Sequence, residues 1–413
     1  MSVGVCIVNR NGIALAADSA GTFTGNKMFY NSMNKVFSLS RRNVYGAITY
    51  GATTVHNVSI DQILKEYRTF LDSRDDIDDF FEIVPLFQEF LRLNKEYYKF
   101  NLTEKADCIS LIKSLVVTWG KKIKVAIASE NPEQEVDAIL KELEADIASS
   151  IRIVNYDVSE YIAATYTSEY NLFLNIVVPE LKKYEEQKTA FWALICRYFN
   201  LSINKESSNS MGLFFAGYGK KDAFPKFVHI ELHNIIGGEL KFRVIEKFEE
   251  SSNNAKIIPL AQNDVILTFC KGISSKYINY VPNKVGSIIK NRIENLPDIF
   301  TDEQKNILQA EFRGVQKEML EAMMATIQKD NVDPILNSVQ LIPLPEMAFL
   351  AESLVNITSL KCTFALDGNQ QTVGGPTDVA VLSKGDGFVW IKRKLYFDSQ
   401  INPNYLMKIT KES

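Results

Sequence analysis

The sequence predicts an α+β fold: a sheet made from strands near both ends of the chain, covered by helices inserted between the strand groups. Three observations predict it. Apolar residues follow strand periodicity through the first fifty positions, again over 211–248, and again over 377–394. Between these stretches the apolar spacing changes to that of amphipathic helices. No internal repeat and no low-complexity segment breaks this order of strands, helices, strands, helices, strands.

The elements follow in order. In "MSVGVCIVNRNGIALAADSAGT", Val3, Val5 and Ile7 alternate with Gly4 and Cys6, which is a strand beginning at the second residue. Asn11-Gly12 is a hairpin signal, and Ile13 to Ala17 reads as a second, buried strand. "NKVFSLS" and "VYGAITYG" add two more strands, ending at Gly51. From about Thr53 the period changes: Ile63, Leu64, Tyr67, Phe70 and Leu71 share one helical face. "NPEQE" looks like a helix start, and Val136, Ile139, Leu140, Leu143 and Ile147 form the stripe that follows. Strands return with "MGLFFAGYG", "FPKFVHIEL" and "LKFRVIEKF". The polar run "ESSNNAK" is a loop, and "NDVILTFCKGI" starts a helix. A long stripe follows, from Ile307, Leu308, Phe312 and Val315 to Met319, Met323 and Ile327. "MAFLAESLVNIT" is another helix, and "TDVAVLSKGDGFVWIKRK" is a strand hairpin around Gly-Asp-Gly.

Bulk properties narrow the function classes. A formal charge of −4 over 413 residues gives no electrostatic reason to expect nucleic acid. No run approaches eighteen apolar residues, so no membrane span is expected. The start of the chain lacks the basic, apolar and small-residue order of a secretory signal. The five cysteines are odd in number and contain no CxxC, which suits reduced thiols of a cytoplasmic protein.

Several motifs have bland readings. His229 and His233 in "HIELH" lie four apart, but on a strand that is roughly 13 Å, so no metal site is expected. The acidic run "RDDIDDFFE" suits the first turn of a helix. "GYGKK" lacks the spacing of a phosphate loop. The Met319, Met323 and Met324 stripe is core or a helix contact.

The N-terminal set carries chemistry. Asp18 ends a buried apolar strand, where an unpaired carboxylate is costly. Lys35 precedes another apolar run. A structural ion pair would explain these two. With Ser2 they become the constellation an N-terminal nucleophile needs. A small second residue lets the initiator methionine be removed. The freed α-amine, with a pKa of about 8, accepts the proton of its own hydroxyl. A lysine beside it favours the free amine, and a carboxylate holds that lysine in place.

These residues resemble the proteasome β-subunit and HslV family of N-terminal nucleophile hydrolases. "NGIALAADSAGT" resembles the family's second strand, with its acidic residue at Asp18 and its substrate-contacting threonine at Thr22. "NKVFSL" resembles the segment carrying the family lysine, here Lys35. "GAITYGATTV" resembles the strand with the oxyanion-hole glycine, here Gly51, and puts Thr49 at the side-chain pocket. Counting back from Asp18 without a gap places Ser2 at the nucleophile position, usually threonine in the family. The central and final hairpins are similar to "LFFAGYGKKDAFPKFVHIEL" and "TDVAVLSKGDG". The chain departs from the family in helical insertions at about 75–205 and 275–340. It departs again at "LAQND", where Gln262 to Asp264 take the place of a serine-glycine pair, and at "NQQTVGG", where Thr372 is the hydroxyl before the last strand.

The resemblance implies a single four-layer αββα sandwich over residues 1–413, enlarged by those insertions. It implies a peptidase of the threonine-protease kind, acting on a peptide or amide substrate through an acyl-enzyme on Ser2. Asp18, Lys35 and Gly51 would complete the catalytic set, with Thr22 and Thr49 at the substrate. It implies no cofactor and no metal, a cytoplasmic location, and is compatible with a homo-oligomer. The alternative is an inactive scaffold or partner-binding relative that keeps Asp18–Lys35 as a structural pair. With Met1 alone ahead of Ser2, methionine removal is the processing expected.

Overall fold

The computed structural model describes residues 2–23, 28–74, 77–150, 156–201, 210–249, 254–297, 300–364, 373–395, 397–398 and 400–404. The chain opens with β1 (Val3–Asn9), β2 (Gly12–Ala17), the short β3 (Gly21–Phe23) and β4 (Met28–Tyr30), β5 (Val36–Ser38) and β6 (Tyr45–Gly51). A small pair follows, β7 (Thr54–Val55) and β8 (Val58–Ser59). The helices α1 (Ile60–Asp72), α2 (Ile83–Leu93), α3 (Phe100–Ile127), α4 (Pro132–Ser149), α5 (Ser159–Val177) and α6 (Glu185–Tyr198) come next. Then come β9 (Met211–Gly217), β10 (Lys226–Ile236), β11 (Glu239–Glu249) and β12 (Lys256–Ala261). A second helical run contains α7 (Asp264–Lys271), α8 (Ser275–Glu294), α9 (Asp302–Ile327), α10 (Asp333–Leu341) and α11 (Leu344–Phe364). β13 (Asp378–Ser383) and β14 (Gly387–Lys392) are the last strands among the described residues. Helices and antiparallel strands are thus mixed as expected. None of the described helices is long and apolar enough to cross a membrane.

The chain divides into two compact units, one of residues 1–50, 216–227 and 248–413, the other of 51–215 and 228–247. In the first unit, β1 and β2 from the start of the chain share a sheet with β13 and β14 from its end, in the order β12-β1-β2-β13-β14. The described pairings in it are antiparallel, with Gly4 opposite Ala17 and Asp378 opposite Ala17 on the other side.

Strand periodicity decides which residues go where. Val3, Val5, Ile7, Ala14, Ala16, Val379 and Val381 join one core with Met347, Ala348, Ala351, Leu354 and Val355 of α11. Alanines on both sides let the helix approach closely. The alternate residues point the other way: Gly4 lies against Ile48 of β6, and Gly46 against Leu15 and Leu382. A helix, this sheet and the β5–β6 pair therefore form successive layers within the first unit. Both faces are buried, which is why these strands read as near-continuous apolar runs.

The sequence did not announce β12. Pro259 weakens a strand reading, but β12 is the edge strand of its sheet, where a missing N–H is tolerated.

In the second unit, α3 to α6 pack around their own core of Ile112, Val116, Ile123, Leu143, Ile162, Tyr170 and Phe191. α1 and α2 meet through aromatic side chains, with Tyr67 edge-on to Phe87 at 5.0 Å between ring centres. Phe87 in turn meets Phe215 of β9 at 5.8 Å. The acidic run behaves as a helix start in its described part: Asp79 caps the 3₁₀ turn Phe80–Glu82 in a capping box with Glu82, just ahead of α2.

Candidate active site

The register of β1 and β2 builds the site. Gly4 opposite Ala17 brings the end of β2 beside the beginning of β1. The Asp18 N–H then donates to the Val3 carbonyl at 3.1 Å. The Val3 N–H donates to Asp18 Oδ1 at 3.0 Å. Ser2 precedes β1 and is buried, and its carbonyl accepts from the Gln262 N–H at 3.1 Å. Lys35, just before β5, is fixed by its carbonyl, which accepts from the Thr49 N–H at 2.9 Å.

These constraints bring Lys35 and Asp18 together. Lys35 Nζ lies 2.5 Å from Asp18 Oδ1, with 8% and 0% of the two side chains exposed. A carboxylate so buried needs all its acceptor capacity filled. Oδ2 accepts from the Ala20 N–H at 3.3 Å and the Gly374 N–H at 3.1 Å. Asp18 thus holds a lysine cation and three backbone donors, one of them on the N-terminal strand.

Burial pushes the Lys35 ammonium below the ordinary lysine pKa. The Asp18 carboxylate opposes that shift, and the Lys394 cation adds to it. Lys394 has its own partner, since its Nζ donates to Asp378 Oδ2 at the start of β13. Asp378 stands opposite Ala17, the residue before Asp18, so two largely buried ion pairs adjoin each other in this corner. Cys362 of α11 is half-buried beside Gln262 and Asp18, and burial raises its thiol's pKa while a Gln262 hydrogen bond opposes the rise.

The structure brings Ser2, Asp18, Lys35 and Thr49 into one region of the first unit. Thr49 is buried in β6. Thr22 lies in β3, paired with Phe29, and its side chain is outside the described residues. Gly51 ends β6 and belongs to the second unit. Its φ of 82° is in the left-handed region, and a Cβ there would stand 2.5 Å from the Ser210 carbonyl oxygen. That oxygen also accepts the Ala52 N–H at 3.1 Å. Of the weaker candidates, Gln262 touches Ser2 through its backbone, while Asn263 and Asp264 open α7. Met1 and Thr372 lie outside the described residues. His229 and His233 are on β10, as the alternation predicted.

Sequence reasoning missed Gly374 and the Asp378–Lys394 pair. The second had a signal: in "TDVAV" an aspartate adjoins a buried apolar strand, as Asp18 does. Gly374 had none, because its contribution is a backbone N–H from 356 residues away.

No protein-family model matches this sequence, and no curated protein matches it.

Proposed function

We propose that this chain is an N-terminal nucleophile amidohydrolase, with Ser2 as nucleophile once its α-amine is free, on a four-layer sandwich of the proteasome-like kind. The observation that supports this most is the buried Asp18 carboxylate, which joins Lys35 Nζ to the backbone of the residue next to Ser2. It is the arrangement that would hold a cation beside a terminal amine without letting either drift.

In the reaction, Ser2 Oγ attacks the carbonyl carbon of a peptide or other amide. The Ser2 amine takes the Oγ proton and passes it to the leaving nitrogen as the C–N bond breaks. The acyl group stays on Oγ. Water, deprotonated by the same amine, then attacks the ester and releases the acid. The Lys35 cation lowers the proton affinity of both amine and hydroxyl, and Asp18 keeps that cation oriented. In this reading a backbone N–H stabilises the oxyanion, and Thr22 and Thr49 contact the substrate.

An inactive scaffold is the second reading. It is favoured by how completely Asp18 is satisfied, because a purely structural pair needs the same donors.

Turnover of an acyl-amide and peptide library separates the two. The enzyme reading expects activity in the wild type and in Ser2→Thr, which keeps hydroxyl and amine. It expects none in Ser2→Ala. A glutamate inserted between Met1 and Ser2 blocks methionine removal and makes the base an amide nitrogen, so that protein should fold and be inactive. Equal turnover by the inserted protein would place the nucleophile elsewhere.

A further inference from the structure

The helices α8 and α9 form an antiparallel pair: Gly286 packs against Gln316, and Gln316 Nε2 donates to Asn283 Oδ1 at 3.0 Å. Each is long, with α9 reaching about 39 Å at 1.5 Å per residue. Yet α9 buries Ile327 alone among its residues, and that residue is its last. Its main neighbours are α8 and the π-helical turn Gln328–Val332.

The apolar residues left uncovered are ordered. In α9, Leu308, Phe312, Val315 and Met319 follow alternating spacings of four and three, the seam of a coiled coil. Phe312 is 38% exposed and Val315 is 52% exposed. In α8, Val281, Val285 and Ile288 continue the same spacing from the buried Ile278, and Val281 is 36% and Ile288 50% exposed. With the contacts between the helices at Asn283, Gly286, Gln316 and Leu320, helical geometry turns both seams to one side of the pair. Such a half-bundle needs a second layer of helix to bury its seam.

The charges say what that layer is. α8 has four cations and one anion, whereas α9 has five anions and three cations. Seven-residue spacing sets Lys284 beside the α8 seam, Arg292 at the seam's end one heptad after Val285, and Glu311 and Glu318 beside the α9 seam, where charges select partners in coiled coils. A surface with one basic and one acidic helix is complementary to itself under two-fold symmetry.

We propose that α8 and α9 are the dimerisation element of this chain: two copies join seam to seam as a four-helix bundle, with α8 of each facing α9 of the other. This inference is independent of the proposed hydrolase activity. A two-fold contact of this kind is closed at two copies.

Sedimentation equilibrium on the full chain at micromolar concentrations tests it. Wild type should have twice the monomer mass. Val315→Glu should have the monomer mass with an unchanged far-ultraviolet circular dichroism spectrum. Lys284→Glu/Arg292→Glu should dissociate at least tenfold more readily than wild type, and so should Glu311→Lys/Glu318→Lys. Mixing those two should restore the dimer, because each reversed helix then meets its complement. Wild type that remains monomeric overturns the proposal and leaves the seam to a different protein. A larger ring, or a dimer indifferent to Val315→Glu, overturns it as well. So does a failure of the mixed pair to associate.

Discussion

Lys35 in the first unit and Lys241 in the second are both buried lysines, and the sequence treats them alike: each sits at the edge of an apolar strand. Their surroundings differ. Lys35 faces the Asp18 carboxylate, and Asp18 is tied to β1, to Ala20 and to Gly374. Lys241 donates to the Phe199 carbonyl at 2.7 Å and lies 5.9 Å from the Tyr156 ring centre. Among the described residues no carboxylate pairs with it. Burial lowers the pKa of Lys241 to about 8. A carbonyl can use a lysine for fold alone. A carboxylate, a cation and the N-terminal strand are the groups that the proposed mechanism uses, and this is why the functional reading rests on Lys35.

The largest effect expected from this contrast is on turnover. Lys35→Met should lower amide hydrolysis by about a thousandfold or more, the upper part of the range for a group that governs proton transfer. Lys241→Met should leave turnover unchanged. Lys35→Met also leaves Asp18 without its cation, at a cost of about 3–5 kcal/mol in urea unfolding. Asp18→Asn/Lys35→Met removes both charges and should recover much of that stability, but not the activity. Recovery of both would reduce the pair to a structural role.

The next effect concerns pH. For Lys241 the folded pKa of about 8 lies below the ordinary 10.5, so between these values the unfolded chain binds more protons. Stability of the second unit should therefore rise by roughly 3 kcal/mol from pH 8 to 10.5, and Lys241→Met should flatten that rise. His229 gives the acid limb. Burial lowers its pKa from 6.5 to about 4, so stability should fall by roughly 3 kcal/mol as pH drops through that window. His229→Gln should remove that loss. Fluorescence of Trp119 and Trp192, read in a Trp390→Phe background, follows this unit during unfolding.

Gly51→Ala should cost about 1–3 kcal/mol, because alanine is strained at this positive φ and its Cβ meets the Ser210 carbonyl. Glycine-to-alanine at Gly314, which has open space around it, should be neutral or stabilising in the same unfolding assay.

The smallest effect comes from an ion pair of the same length as the buried one. Lys65 Nζ is also 2.5 Å from a carboxylate, that of Asp61, but 47% and 33% of the two side chains are exposed. Asp61→Asn should change unfolding free energy by about 0.5 kcal/mol or less. An effect comparable to that of Lys35→Met would show that separation, and not burial, sets the strength of these pairs.

Much of this was legible in the sequence where the signal was local. Val3, Val5 and Ile7 announced β1, and "TDVAVLSKGDGFVWIKRK" the final hairpin; Asn11-Gly12 announced the first turn one residue late, since the loop is Arg10-Asn11 and Gly12 already pairs with Asn9. Asp18 and Lys35 were legible because a charge beside an apolar strand needs a partner. The Gln262 and Gly374 contacts were not, since backbone groups leave no mark on residue type. β12 was hidden by Pro259, whose cost disappears on an edge strand. The α9 stripe was legible as an apolar face, but not that α9 buries Ile327 alone among its residues.

The central claim, that Ser2 works through both its hydroxyl and its own amine, is tested most directly by covalent labelling. A peptide α′,β′-epoxyketone offers one electrophilic carbon to the hydroxyl and a second to the amine of the same residue, and closes a ring only where both are free. Intact-mass analysis with peptide mapping should find one adduct per chain, on Ser2, in the wild type, and none in Ser2→Ala. The account is contradicted if the wild type stays unlabelled with its amine shown to be free, or if Ser2→Ala is labelled to the same extent.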